Sequence, residues 1–263
     1  MDPRIRKDDN AGNSIRDIRT YTWIGVEIIF NKMKEIIPAI LPENFNDLLG
    51  HVESVKDSVR VLQIDICDGV FVPNKCWPYK NDSGELKKIL DEEDGLPEWV
   101  TMDYEIDLMV KNPLADAEKW IQAGAKRLIF HIESEGIPET IEMLKTVHLY
   151  NVMDDLLEVG IAINIDTPIS ALENIIDDVS VVQCMGIARI GFQNEKFDER
   201  VLVKVKEIKE KYPEVLVSVD GGVDLENLQS LIDAGVDRFV TGHSIFQGDL
   251  EPKDAVVKFR NLI

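Results

Sequence analysis

Cysteine is scarce in this chain of 263 residues, which contains only Cys67, Cys76 and Cys184. Three scattered cysteines exclude a disulfide framework and a zinc ribbon, because both need several cysteines at regular spacing. Sequences poor in disulfides are typical of proteins in reducing compartments. The cysteine content therefore predicts a cytoplasmic protein.

Positively charged residues are also few. Lysine and arginine together number 29 against 49 aspartates and glutamates, which gives a formal net charge of -20 at pH 7. Such a surface repels the phosphate backbone of DNA and RNA, so we expect no nucleic-acid partner. A small anionic ligand is still compatible with this charge, because a few local N–H donors outweigh a distant, screened field.

Long apolar runs are missing as well. No run approaches the roughly 18 residues of a membrane span, so we expect no membrane association. Residues 1–17 are polar and of mixed charge, a composition that does not match a signal peptide. We interpret residues 1–34 as an amino-terminal extension that packs on or flanks a single domain of residues 35–263.

What the sequence does contain is a regular alternation of two patterns. Short apolar runs predict strands at residues 35–41, 60–66, 99–110, 127–132, 160–165, 180–187, 214–220 and 237–242. Stretches with helical spacing follow them at residues 45–59, 85–93, 113–125, 138–159, 168–179, 198–212, 225–235 and 252–262. Eight strand–helix units predict an α/β fold in which parallel strands close into a (β/α)8 TIM barrel. A doubly wound open sheet is the alternative, but no G-x-G-x-x-G motif follows the first strand.

The stretch RVLQIDICDGVFVPN, at residues 60–74, contains the first candidate site residue. Its period-two pattern places Gln63, Asp65 and Cys67 on one face of a strand. A carboxylate in mid-strand is costly unless it contacts water, a metal or a hydrogen-bond partner. Since the sites of such barrels lie at the carboxyl ends of the strands, Asp65 is a candidate functional residue. A simple turn-capping role is the alternative.

Eight fragments, in the same order along the chain, resemble motifs of the ribulose-phosphate 3-epimerase family. They are PAILPENF, LQIDICDGVFVPN, IDLMV, FHIES, AINIDTP, GFQNEKF, VDGGV and FVTGHSIF, and they span residues 38–246. The resemblance implies a barrel of the ribulose-phosphate-binding type. It also implies an isomerase of carbohydrate metabolism that interconverts ketose phosphates, namely D-ribulose 5-phosphate and D-xylulose 5-phosphate or a close analogue.

The resemblance also implies roles for individual residues. Inversion of a carbon needs one acid/base group on each face and positive charge where the oxyanion develops. Asp65 matches the family's base, and Asp220 matches its acid. The residues expected to contact the substrate and its phosphate are Met109, Met185, Arg189, Gly191, Gly221, Gly222, Gly242 and His243. Arg189 differs from the family pattern, and a plain salt bridge is the alternative role for it.

The implied metal site departs from the family, whose ligands are two histidines and two aspartates. Gln63 and Asp107 stand at the two histidine positions, so the expected set is Gln63, Asp65, Asp107 and Asp220. Oxygen ligands favour Mn²⁺ or Mg²⁺ over Zn²⁺. A catalytically impaired homologue that still binds phosphosugars is the alternative, with the crowded carboxylates protonated or paired with Arg189.

Three further features concern His131, the related decarboxylases and the oligomeric state. His131 matches a family residue and suits either the lining of the site or a buried structural role. A decarboxylase of related fold is disfavoured, because the third strand carries Asp103, Glu105 and Asp107 but no lysine. Barrels of this type commonly form oligomers, so a homo-oligomer is compatible with the sequence, with the extension covering the barrel bottom or an interface.

Overall fold

Eight parallel strands close into a barrel in the order of the chain. The structure, a computed structural model, describes residues 34–134, 142 and 157–263. The strands are β1 (Glu35–Ile40), β2 (Val61–Cys67), β3 (Asp103–Met109), β4 (Arg127–His131), β5 (Glu158–Ile163), β6 (Val181–Met185), β7 (Leu216–Asp220) and β8 (Arg238–Thr241). Parallel pairing of β1 with β8 completes the ring. The predicted TIM barrel is confirmed.

Seven α-helices lie among the described residues. They are α1 (Phe45–Val55), α2 (Glu85–Leu90), α3 (Pro113–Gln122), α4 (Arg200–Lys211), α5 (Leu228–Ala234), α6 (His243–Phe246) and α7 (Pro252–Arg260). Local sequence sets several of their ends. Asn44 and Asn112 cap α1 and α3 by accepting a backbone N–H, and Pro113 opens α3. None of the helices in the described ranges is long and apolar enough to cross a membrane.

Strand alternation divides the side chains between two environments. Leu62, Ile64 and Ile66 of β2 point outward into the main apolar core. Gln63 and Asp65 point inward, where Gln63 reaches Asp220 on β7. Because both faces of each strand are covered, most residues of the strands are apolar. A polar residue within a strand therefore marks a candidate functional position.

Several boundaries differ from the predictions. The helix predicted at 168–179 is wrong, since the structure has two short 3-10 turns, Ile169–Leu172 and Ile176–Asp178. Leu172, which ends the first turn, and Ile175, which precedes the second, are both fully buried. Helix α6 was not predicted, and β5 begins at Glu158 rather than 160. The helix predicted at 138–159 lies mostly outside the described residues, as do residues 1–33 of the predicted extension.

The amino-terminal end of the barrel interior holds five charged side chains, which we call the basal charged layer: Glu35, Glu105, Arg127, Glu158 and Arg238. Arg127 Nη1 lies 3.0 Å from Glu35 Oε2, and Arg238 Nη2 donates to Glu158 Oε2 at 2.9 Å. Glu105 is almost fully buried and lies 3.8 Å from Arg127. Aspartates, glutamines and a histidine occupy the opposite end of the interior, where the site lies.

Candidate active site

Three aspartates converge inside the carboxyl end of the barrel. Asp65 and Asp107 are register partners on β2 and β3, and Asp220 ends β7. One oxygen from each of the three lies within 4.8 Å of the others. Asp107 points into the barrel, as a role in the predicted cluster requires. We call these three side chains the acidic cluster.

Two carboxamides lie between the carboxylates of the acidic cluster. Gln63 Nε2 donates to Asp65 Oδ1 at 2.7 Å and to Asp220 Oδ2 at 2.8 Å. Gln183 Nε2 donates to Asp220 Oδ2 at 3.2 Å and to Asp107 Oδ2 at 3.3 Å. Gln183 was not among the residues predicted for the site. The available signal was a polar side chain in the middle of an otherwise apolar strand.

His131 belongs to the same network. Its Nε2 lies 2.9 Å from Asp107 Oδ1, and both side chains are fully buried. Burial alone would lower the pKa of His131, but the adjacent Asp107 carboxylate raises it above the ordinary value. Of the two roles considered for His131, the structure supports a buried one that is in direct contact with the acidic cluster.

The ionisation of the aspartates reflects their crowding. Burial, followed by repulsion from Asp107, raises the pKa of Asp220 to about 7. Burial also raises the pKa of Asp65 well above its usual range, with further contributions from Asp220 and Asp107. Groups that exchange protons near neutral pH are suited to acid–base chemistry.

A cavity of about 560 Å³ opens at this end of the barrel. Most predicted site residues line it: Asp65, Met109, Met185, Gly191, Asp220, Gly221, Gly222, Gly242 and His243. Gln63 and Asp107 are fully buried and form no part of the lining. The cavity therefore exposes two carboxylates of the acidic cluster, while the rest of the network lies behind them.

Two glycines shape one wall of the cavity. Gly222 has a φ of +68°, and a Cβ on it would lie 2.8 Å from Phe197 Cα. A Cβ on Gly242 would lie 2.6 Å from the carbonyl oxygen of Ala39. Helix α6 begins directly after Gly242, and the first N–H groups of any helix have no partner within it. This wall consequently offers backbone donors without side chains in front of them.

Arg189 is held away from the acidic cluster. Its Nη2 lies 2.5 Å from Glu195 Oε1, and its guanidinium carbon lies 4.2 Å from the Phe192 ring centroid. The side chain is 64% exposed and does not line the cavity. A part for Arg189 in ligand binding stays a prediction.

The donor set suits a hard divalent cation. Three carboxylates surround one point, and Gln63 Oε1 is buried without a hydrogen-bond partner among the described residues. A buried carbonyl oxygen without a partner is costly. Gln63 Nε2 faces Asp65 and Asp220, so the amide would turn over to ligate a cation through Oε1, which would remove that cost. An all-oxygen set of this kind matches Mg²⁺ or Mn²⁺ better than Zn²⁺.

Comparisons with known proteins identify the family of the chain. The family model described as the ribulose-phosphate 3 epimerase family matches residues 35–246. Ribulose-phosphate 3-epimerase of Bacillus subtilis strain 168 is 29% identical over 236 residues, covering 87% of this chain and 99% of that protein. The chloroplastic ribulose-5-phosphate-3-epimerase of Arabidopsis thaliana is also 29% identical, covering 82% of this chain and 73% of that protein.

Solved structures share the barrel at lower identity. KGPDC from Streptococcus mutans has a TM-score of 0.62 at 18% identity, covering 87% of this chain and 96% of that one. A 3-hexulose-6-phosphate synthase has a TM-score of 0.58 at 16% identity, covering 88% and 100%. These likenesses show the fold alone. On the match over residues 35–246, the chain belongs to the ribulose-phosphate 3-epimerase family.

Proposed function

We propose that this protein is an isomerase that epimerises a ketose phosphate, interconverting D-ribulose 5-phosphate and D-xylulose 5-phosphate or a close analogue. The observation that carries the proposal is the placement of Asp65 and Asp220. Both carboxylates line one cavity, and both accept a hydrogen bond from Gln63 Nε2. Relatives that cover most of this chain bear the name ribulose-phosphate 3-epimerase.

The two carboxylates divide the proton transfer between them. Asp65 removes the proton from the carbon beside the ketone, and Asp220 delivers a proton to the opposite face. Burial raises the pKa of both carboxyl groups, that of Asp220 to about 7, and a raised pKa suits a group that delivers a proton. The buried network of Gln63, Gln183 and His131 limits the movement of the carboxylates, so that the two groups stay aligned with the substrate.

A divalent cation is part of the proposal. Gln63, Asp65, Asp107 and Asp220 would hold it, with Mn²⁺ or Mg²⁺ favoured over Zn²⁺ by the oxygen ligands. When bound, it supplies positive charge that stabilises the negative charge developing on the substrate oxygens. The cation also offsets the repulsion among three carboxylates, which favours their ionised forms.

The glycine-lined wall of the cavity is the proposed phosphate site. Gly221, Gly222 and Gly242 leave their backbone exposed to the cavity, and His243 stands at the start of α6. Gly191 lines the same cavity. Backbone N–H groups in this arrangement suit a phosphate despite the net negative charge of the chain, because they act at contact distance.

A catalytically impaired phosphosugar-binding protein is the second candidate. The observation that favours it is the pair of carboxamides, Gln63 and Gln183, whose N–H groups donate to all three carboxylates of the acidic cluster. Such a network satisfies the carboxylates in a protein that binds a sugar phosphate but does not turn it over. A cytoplasmic location, a homo-oligomer and the role of residues 1–34 stay predictions in either case.

One experiment separates the candidates. Purified full-length protein would be analysed for its metal content and assayed on D-ribulose 5-phosphate with a coupled detection of D-xylulose 5-phosphate. The proposed epimerase forms product at a rate that falls on chelation and returns with Mn²⁺ or Mg²⁺. Binding of the sugar phosphate without turnover under all these conditions would support the impaired homologue, and absence of binding would reject both candidates.

A further inference from the structure

Gln183 contacts two members of the acidic cluster from β6. Its Nε2 lies 3.3 Å from Asp107 Oδ2 and 3.2 Å from Asp220 Oδ2, and the side chain is fully buried. The resemblance gave no role to this position. A buried carboxamide at the middle of an apolar strand needs a reason, because an aliphatic side chain would fill the same space without a desolvation cost.

The amide of Gln183 can face the acidic cluster in either orientation. Its Oε1 accepts a hydrogen bond from Ser218 Oγ at 3.4 Å. A serine hydroxyl both donates and accepts, so Ser218 can also accept from the Gln183 NH₂ group when the amide is turned over. The nitrogen and oxygen of a carboxamide are nearly the same size, so this turn costs little in packing. Without a cation, the N–H groups must face the carboxylates.

The spacing around Gln183 matches that of neighbouring ligands on one cation. Adjacent ligands in an octahedral shell with bonds of about 2.1–2.3 Å lie about 3.0–3.3 Å apart. The amide atom that faces the cluster lies 3.2 and 3.3 Å from one oxygen of Asp220 and one of Asp107. Gln63 Nε2 lies closer to Asp65 and Asp220, at 2.7 and 2.8 Å, which are ordinary hydrogen-bond distances.

We infer that Gln183 is a further cation ligand, whose amide turns so that Oε1 faces the cation when one binds. The inference rests on the cation site of the proposed function and deepens it. With Gln63, Asp65, Asp107 and Asp220, it makes a set of five oxygen-bearing side chains. A site of this kind selects a cation that takes six or more oxygen ligands, because zinc is satisfied by four and prefers nitrogen and sulfur.

The test measures Mn²⁺ binding to metal-free full-length protein by electron paramagnetic resonance, beside Zn²⁺ binding by calorimetry. Gln183→Leu removes the amide at similar volume, and we expect the Mn²⁺ affinity to fall at least about tenfold. The Zn²⁺ affinity changes less, so the preference between the two metals shifts. Gln229→Leu is the matched control, since Gln229 is an exposed glutamine that bonds Asp233 on α5. It leaves both affinities unchanged.

A second substitution separates ligation from indirect support. Gln183→Glu keeps an oxygen on the side chain but loses the N–H donors. A ligand role predicts tighter Mn²⁺ binding and an altered resonance spectrum, whereas a role confined to donating hydrogen bonds to Asp107 and Asp220 predicts weaker binding. If Gln183→Leu does not fold, Gln183→Asn shortens the same amide by one methylene, and Ser218→Ala removes its partner. Both should weaken Mn²⁺ binding.

The outcomes distinguish this inference from the proposed reaction. Unchanged Mn²⁺ affinity in Gln183→Leu, or weaker binding in Gln183→Glu, overturns the inference even if the protein epimerises ribulose 5-phosphate. Loss of Mn²⁺ affinity in Gln183→Leu, in a protein that has no epimerase activity, supports the inference and rejects the reaction. A wild-type protein that binds neither metal overturns the inference.

Discussion

His131 Nε2 lies 2.9 Å from Asp107 Oδ1, and neither side chain has any exposure to solvent. Asp107 stands where the family pattern has a metal-binding histidine, so in this chain an imidazole supports a carboxylate at that position. Partners of this kind orient a ligand and hold it in place. The contact explains how a carboxylate with no solvent exposure keeps a fixed position on β3.

Replacing His131 with leucine should weaken cation binding. The substitution leaves an oxygen of Asp107 without its donor, and losses of such supporting contacts typically cost about 10–100-fold in metal affinity. Affinity for inorganic phosphate should not change, because the proposed phosphate site lies on the glycine-lined wall. Calorimetric titration with Mn²⁺ and with phosphate measures both. His51→Leu on α1 is the control, and equal Mn²⁺ affinity in the two variants would contradict the supporting role of His131.

Removing either cavity carboxylate should abolish most turnover. Asp65→Asn and Asp220→Asn should each lower kcat by about 10²–10⁴-fold, the usual contribution of general acid–base catalysis. In Asp220→Asn, Asp65 still abstracts and returns a proton on its own face, so deuterium exchange without inversion should survive. Asp233→Asn, on the exposed face of α5, is the control.

Restoring histidine at the two divergent positions separates a working variant from a decayed site. If wild-type protein shows neither exchange nor inversion and the double substitution Gln63→His with Asp107→His gains activity, the site has decayed. If the same double substitution removes a measurable wild-type rate, the oxygen-rich site is a functional alternative. Both results come from one coupled assay.

Metal reloading should favour hard cations. After chelation, Mn²⁺ or Mg²⁺ should restore more epimerase activity than Zn²⁺, because the cluster supplies oxygen ligands. Initial rates at matched concentrations of free metal measure the order. Greater recovery with Zn²⁺ would contradict the expected ligand set.

The glycine-lined wall should bind a phosphate. A Cβ on Gly242 would lie 2.6 Å from the Ala39 carbonyl oxygen, so Gly242→Ala must displace the backbone there. We expect the dissociation constant for inorganic phosphate to rise at least about tenfold, a change of about 1.4 kcal/mol. Gly50→Ala in α1 is the control, because a Cβ at Gly50 has no atom within 4 Å. A sulfate-soaked crystal with an anion elsewhere but none at this wall would reject the phosphate site.

Glu105 should make stability depend on pH. Burial raises the pKa of Glu105 to about 7, although Arg127 and Arg238 lower it and Glu158 and Glu35 raise it. A carboxyl whose pKa is higher in the folded state stabilises the fold below its unfolded pKa and loses that contribution as pH rises through 7. From pH 5 to 8, the unfolding free energy of the wild type should fall relative to that of Glu105→Gln by roughly 1–3 kcal/mol. Urea denaturation at several pH values measures it, and parallel curves would exclude the effect.

The sequence was sufficient for the barrel and for the acidic cluster. Period-two alternation fixes which residues of a strand share a face, and parallel pairing brings the carboxyl ends together. Asp65, Asp107 and Asp220 converge for that reason. The Arg189–Glu195 pair was not predictable, because an exposed arginine beside several acids has many partners of similar energy.

Two other features, the role of Gln183 and the 3-10 turns within 168–179, were not predicted, for different physical reasons. Gln183 is visible in the sequence as a polar residue of β6, but the apolar residues on both faces of that strand leave no period-two pattern to show which face it occupies. The stretch at 168–179 has apolar residues at both three- and four-residue spacing, so an α-helix and a 3-10 turn fit it equally well over this length. Only the packing of Leu172 and Ile175 against the barrel decides between them.

The basal charged layer also helps to fix the alignment of β1 and β8, the two strands that close the barrel. Glu35 on β1 and Arg238 on β8 are register partners across the seam that joins the first and last strands, and Glu35 also pairs with Arg127 on β4. A slip of β8 by one residue would turn Arg238 towards the surrounding helices and leave buried carboxylates without a counter-charge. In the correct alignment of the terminal strands, both arginines of the charged layer retain a carboxylate partner.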